Sequence, residues 1–396
     1  MRMRALREYW HYIALIFILV SVATLTRGAS PLSVAAGMAL LILVYAVAAG
    51  LYGKTWALLP VIMFGFAPPF LGTTIAAPEK ILTSLALLLA VAAFGWFMDE
   101  PEQWRLIGAG VALGLALIAH PLAILLVPLY TGIALAALIT RIGVEWEDTA
   151  PHDRRRRFTI RTLHDVRAIA AIFALGIAVV YACYAIRPIS PIGLISPIED
   201  TSLLVGWLTQ NKALAPLGSY LGNVARYAET LPSPNLAAFK TFATRLPLPL
   251  LALFIIAAGA AAARAAQGAV LDIIGRVPVL TNYIATNVTG FTLQLFAALF
   301  IIVGVASAGD GTRVLLLFLP PLSILAGNAL KNWFGKLDDA FIRNAVIRVL
   351  VFANNLASMS VKALVLAGLL IWHAATALIA APNFAAYKNL IGAILG

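Results

Sequence analysis

Long apolar runs follow one another along almost the whole chain, separated by short polar or proline-bearing stretches. A helix needs about 20 apolar residues to cross the hydrocarbon core of a bilayer. The runs fall at 12–26, 32–51, 56–76, 81–98, 106–119, 122–140, 168–186, 247–265, 289–306, 313–329 and 359–380. They predict about eleven crossings. The runs are continuous rather than alternating, which excludes a transmembrane barrel and leaves helices as the spanning element. The expected fold class is therefore all-α, a polytopic integral membrane helical bundle.

Two joints in this pattern carry information. At Ala119-His120-Pro121 the proline restricts the residue before it and predicts a break. The run before that break is short and contains Gly108, Gly110 and Gly114, which suits close helix packing. Reading 106–140 as one bent helix instead reverses the topology of everything after it. The second joint is the stretch 187–246, rich in proline and too long for a simple connection. Short helices are expected within it at Thr201–Thr209 and Leu217–Ala228. Three segments follow: an N-terminal transmembrane module 1–186 of about seven spans with a basic cytoplasmic loop 141–167, an extracytoplasmic loop 187–246, and a C-terminal module 247–396 of about four spans.

Composition agrees with lipid as the main solvent. The chain is 62% hydrophobic and 11% charged, where a soluble domain carries about 25% charged residues. The net charge of +11 would suit a nucleic-acid partner, but its distribution points to a membrane. Segments on the expected inner side hold about twice as many Lys and Arg as those outside, with the densest cluster at Arg154–Arg157. That cluster reads as a juxtamembrane anchor facing anionic lipid. Arg2, Arg4 and Arg7 precede the first run and place the N-terminus in the cytoplasm, with the first run an uncleaved signal anchor. Expected localisation is the cell membrane, multi-pass, with membrane lipids as partners and no nucleic acid.

Cys183 is the single cysteine, so no intrachain disulfide forms, and the five histidines are too scattered for metal-ligand spacing. No metal site and no cofactor are expected, and metal dependence stays open. Neither a phosphate-binding loop nor a nucleophile elbow occurs.

The candidate chemistry lies at the outer boundary. No carboxylate falls well inside a span, which argues against an ion-coupled transporter. Arg27, Lys80, Arg187 and Arg313 each sit at the outer end of an expected span. A guanidinium or ammonium there can snorkel to the surface, or grip the phosphate of a lipid carrier. Lys80, Arg187, Arg313 and His120 are the candidate substrate-binding residues. Glu79, Glu199 and Asp200 are the candidate catalytic acids. Each has a structural alternative: Glu79 as a helix N-terminal acid, Asp200 as an N-cap.

Three stretches resemble the GT-C superfamily of polytopic membrane glycosyltransferases, in particular its protein O-mannosyltransferase and aminoarabinose transferase branch. They are Phe66-Ala67-Pro68-Pro69-Phe70 through Glu79, the glycine-rich run from Trp104 to Ala116 followed by His120-Pro121, and Gly311-Thr312-Arg313-Val314 through Pro320-Pro321-Leu322. The resemblance implies a GT-C-like bundle and transfer of a sugar from a polyprenyl-phosphate-linked donor to an extracytoplasmic acceptor, whose identity is open. The family places its catalytic acid in a substantial first outer loop. Here that loop is Arg27-Gly28-Ala29-Ser30-Pro31, without a carboxylate. The alternatives are a non-enzymatic lipid or polysaccharide transporter or flippase, and a catalytically inactive GT-C-like scaffold.

Overall fold

The structure is a computed structural model. It describes residues 2–148, 151–186, 214–230, 288–306, 311–334 and 361–381, with 208, 210, 211, 244, 248, 249, 251, 252, 255 and 384. Every long element among these is a helix. In order they are α1 (Arg2–Leu25), α2 (Pro31–Tyr52), α3 (Leu58–Gly65), α4 (Pro68–Ala76), α5 (Pro78–Asp99), α6 (Gln103–Ala119), a 3-10 turn (Pro121–Leu125), α7 (Leu126–Asp148) and α8 (Pro151–Ile186). They are followed by α9 (Ala215–Thr230), α10 (Val288–Ala306), α11 (Gly311–Phe334) and α12 (Val361–Ala380).

Among the described residues four helical stretches are long and apolar enough to cross a membrane, or five if the bent pair α3–α4 is one span. The chain is thus a multi-pass membrane protein by length and composition of its helices. The expected run 56–76 is not one straight helix. It breaks between Gly65 and Pro68 and bends by 60°. Ala67 is held extended by the proline after it, and Pro68 then opens α4 where its missing N–H costs nothing. The basic segment 141–167, expected as a loop, is helical up to Asp148 and again from Pro151. Of the helices expected in 187–246, Leu217–Ala228 lies within α9. Thr201–Thr209 falls almost wholly outside the described residues, as does most of the run 247–265.

The chain forms two compact units whose segments interleave. One comprises Met1–Leu85, Pro234–Ala263 and Phe300–Gly396, the other Ala86–Ser233 and Arg264–Leu299.

The first unit shows how lipid shapes a proline-bearing bundle. A carbonyl in hydrocarbon needs a donor, and a proline four residues later removes the one a helix supplies. Pro78 stands four residues after Thr74, and the Thr74 carbonyl accepts instead from Ser33 Oγ on α2. Pro320 stands four residues after Leu316, and the Leu316 carbonyl accepts from Ser84 Oγ on α5 at 3.0 Å. At the α3–α4 break the Ala67 N–H turns to Phe64 O. That leaves the Met63 carbonyl to His373 Nε2 of α12, 2.6 Å away. Because a carbonyl only accepts, His373 carries a proton on Nε2. Ser33, Ser84 and His373 are all buried.

Farther along α11, Tyr52 Oη donates to the Ile324 carbonyl at 3.0 Å. Gly327, one turn on, leaves no room for a side chain: a Cβ there would lie 2.6 Å from Tyr52 Oη and 2.8 Å from Pro60 Cδ. α11 therefore runs from the beginning of α5 to the end of α2, where Gly53 closes α2 at a φ of 93°.

In the second unit α6 packs on α8 through glycine. A Cβ at Gly110 would come within 2.6 Å of Leu175 Cβ, and one at Gly114 within 2.5 Å of Val179 Cβ. This is the small-residue contact that lets membrane helices approach closely. Gly108, expected to share it, faces open space. Gly95 of α5 likewise admits Thr289 of α10, whose hydroxyl donates to the Asp99 carboxylate at 2.5 Å.

Candidate functional site

The first unit carries the acid and cations that the sequence singled out and the structure describes. α5 opens at Pro78, so Glu79 and Lys80 occupy its first turn. The carboxylate is favoured there by the positive end of the helix dipole. Both side chains are partly exposed. Among the described residues neither has a hydrogen-bonded or ion-paired side-chain partner.

Arg313 lies in the first turn of α11. The Ser84–Leu316 hydrogen bond clamps the two helices near these turns. Glu79 and Lys80 precede Ser84 by five and four residues, and Arg313 precedes Leu316 by three. At a rise of about 1.5 Å per residue, each lies within roughly 8 Å along its helix of the clamp. The clamp therefore gathers the starts of α5 and α11 at one locus of this unit.

The first connection, between Leu25 and Pro31, is as short as the sequence predicts. Thr26 folds back on Val22 O at 2.9 Å, the Ala29 N–H returns to Thr26 O at 2.9 Å, and Ser30 caps α2. Arg27 is exposed and no acid is available in the stretch.

His120 belongs to the second unit. It ends α6 in an extended conformation and caps the 3-10 turn, its Nδ1 accepting from the Leu122 N–H at 3.1 Å. The neutral ring therefore holds its proton on Nε2. Its face meets Tyr227 of α9 edge-on at 5.1 Å. Desolvation pushes its pKa down to about 4. A neutral imidazole with a free N–H can donate to a phosphate or sugar oxygen. It is not a cation at neutral pH.

α9 is anchored nearby through Tyr220, edge-on to Tyr184 at 6.0 Å, and through Asn223, 3.4 Å from Tyr184 Oη. Sequence reasoning did not find Tyr227 as the partner of His120, because their pairing is a contact between segments far apart in the chain.

Glu199, Asp200 and Arg187 lie outside the described residues, as does the side chain of Arg313. Among the described residues no group of three His, Cys, Asp or Glu could hold a metal ion.

No protein-family model and no curated protein sequence matches the chain. Its fold is similar to that of the archaeal oligosaccharyltransferase AglB from Archaeoglobus fulgidus, solved with an inhibitory peptide and a dolichol-phosphate. The TM-score is 0.50 at 13% identity, covering 96% of this chain and 47% of that one. The chain thus spans about half the length of that protein. ArnT from Cupriavidus metallidurans bound to undecaprenyl phosphate aligns at a TM-score of 0.36 and 14% identity, over 94% of this chain and 60% of that one. The likeness to the oligosaccharyltransferase is one of fold. The described residues form an all-α membrane bundle, and its fold is what the likeness shows.

Proposed function

We propose that this GT-C-like membrane bundle is a glycosyltransferase that moves a sugar from a polyprenyl-phosphate-linked donor to an acceptor on the extracytoplasmic side. The observation that carries the reading is the clamp between Ser84 and Leu316, which brings the starts of α5 and α11 together. One start holds Glu79 and Lys80, the other Arg313. In this reading the Glu79 carboxylate takes the proton of the acceptor hydroxyl. The oxygen attacks the anomeric carbon, and the bond from that carbon to the lipid phosphate breaks. Lys80 and Arg313 hold the departing phosphate as negative charge grows on it, the kind of stabilisation that acts mainly in the transition state. Glu199 or Asp200 is the substitute base, Arg187 a further phosphate ligand, and His120 a neutral donor to the substrate.

The dolichol-phosphate held by the oligosaccharyltransferase of similar fold supports a lipid-phosphate donor here. The test is sugar transfer from radiolabelled polyprenyl-phosphate donors in vesicles containing the purified protein. Transfer that survives Arg313→Ala in a normally inserted protein removes Arg313 from the mechanism. One observation favours a second reading, an inactive scaffold: the connection between α1 and α2 has no carboxylate where the family keeps its base. Binding of polyprenyl phosphate without transfer of any sugar would select it.

A further inference from the structure

The bend between α3 and α4 falls in the middle of the apolar run 56–76, and two consecutive prolines, Pro68 and Pro69, stand in it. Neither has a backbone N–H to give. The donors that remain are spent close by. The Phe66 N–H goes to Ile62 O at 3.0 Å and the Ala67 N–H to Phe64 O at 3.1 Å. The N–H groups of Phe70 and Leu71 both go to Ala67 O, at 3.0 and 3.1 Å.

Two carbonyls are left over. Gly65 O stands three residues before Pro68 and four before Pro69, so no helical donor exists for it. Phe66 O stands three before Pro69 and four before Phe70, whose N–H is turned to Ala67. Among the described residues no other backbone or side-chain donor reaches either oxygen. His373 adds a third acceptor at the same break. Its Nε2–H is held by Met63 O at 2.6 Å, and its Nδ1 is buried without a partner among the described residues. The break is therefore rich in acceptors and short of donors. It lies in a packed region where Gly65 and Ala67 are buried and His373 is 1% exposed, while Phe66 is only partly covered.

An unanswered carbonyl in apolar surroundings is costly. Prolines persist in membrane helices where side chains or ordered water take the place of the missing N–H. Side chains do so at Thr74, Leu316 and Met63. At Gly65 and Phe66 none does among the described residues. A ligand there must be small and must bring hydrogen-bond donors or a positive charge. A metal ion suits carbonyl oxygens, but α2, α3, α4 and α12 carry no acid to balance its charge. A neutral donor has no such cost.

We propose that the α3–α4 break binds one resident water molecule, which donates its two protons to the Gly65 and Phe66 carbonyls. It allows a double proline to stand in the middle of a membrane span. The site lies wholly within the first unit and is independent of the sugar-transfer reading.

The test is solid-state NMR on the full chain in lipid bilayers, with magnetisation passed from water protons to labelled carbonyls. Carbonyl-labelled glycine combined with nitrogen-labelled phenylalanine selects Gly65-Phe66 and Gly290-Phe291, the two Gly-Phe pairs of the chain. In a Phe291→Leu background the first pair reports alone. Gly37-Met38 inside α2 is the single Gly-Met pair and serves as the control. The Gly65 carbonyl is expected to receive water magnetisation and the Gly37 carbonyl to receive none. A silent Gly65 overturns the proposal. So does equal transfer to both, which would mark general hydration of the bundle. Pro69→Ala supplies an N–H four residues after Gly65 and should weaken the transfer there. Undiminished transfer in that variant would show that the freed carbonyl does not hold the water, and would likewise overturn the assignment.

Discussion

Ser84 on α5 donates its hydroxyl to the carbonyl of Leu316 on α11, 3.0 Å away, and thereby replaces the backbone N–H that Pro320 lacks. Ser33 does the same for Thr74, four residues before Pro78. His373 serves Met63 at the broken helix. Within a lipid-solvated bundle an orphaned carbonyl has no bulk water to turn to. At these three carbonyls a polar side chain on another helix supplies the donor and fixes that pair of helices in register.

The Ser84 hydroxyl is fully buried, so Ser84→Ala should leave the Leu316 carbonyl unsatisfied. The expected cost is about 1–3 kcal/mol, read as a lowered unfolding midpoint in detergent. Ser84→Thr keeps the donor and should lose less. Adding Pro320→Ala restores the helical N–H, so the two changes together should cost less than the sum of each. A double-mutant cycle showing simple additivity would remove the replacement argument.

His120 gives a dependence on pH whose sign follows from its environment. Burial lowers its folded pKa to about 4, while an unfolded histidine titrates near 6.5. Between about pH 4 and 6.5 the unfolded chain binds a proton that the folded chain refuses. Stability should therefore be level above about pH 6.5 and fall as the pH drops toward 4, with a slope of at most about 1.4 kcal/mol per unit. Protonation of Nδ1 would also break its bond from Leu122. His120→Asn keeps a capping acceptor but cannot titrate. Melting curves at pH 7.5 and 5 should differ more for the wild type than for this variant, and equal differences would refute the assignment.

Gly114 and Gly108 lie on the same helix and should behave oppositely. A methyl at Gly114 would collide with Val179 Cβ at 2.5 Å and with the Gly176 carbonyl at 2.9 Å. Gly114→Ala should cost about 1–3 kcal/mol or force α6 and α8 apart. Nothing lies within 4 Å of a Cβ at Gly108, and Gly108→Ala should be neutral or slightly stabilising through helix propensity. The readout is the unfolding midpoint of each in the same detergent.

The sugar-transfer reading makes a graded prediction. Glu79→Gln removes the base while keeping shape, and Arg313→Ala removes a phosphate grip. Each should lower transfer by about 10²-fold or more, with insertion and melting unchanged. Arg313→Lys keeps the charge without the fork and should fall between. If Glu79→Gln is fully active, the base is elsewhere, with Glu199 and Asp200 the next residues to vary.

Much of this protein is written in its order of residues. Hydrophobic runs set the helices, because a backbone in lipid has no other way to bond itself. The break at His120-Pro121 and the acid-free connection after α1 follow directly from local chemistry. So does the location of each freed carbonyl, four residues before Pro78 and before Pro320. The sequence does not say which side chain answers each carbonyl. Ser33, Ser84 and His373 are unremarkable residues in apolar runs, and their roles come from neighbours 41, 232 and 310 positions away. The same holds for the bend inside 56–76, for the choice of Gly110 and Gly114 over Gly108, and for the joining of the α5 and α11 starts. Period and propensity act over a few residues. Contact between distant helices depends on packing of the whole unit, and there the tertiary structure alone decides.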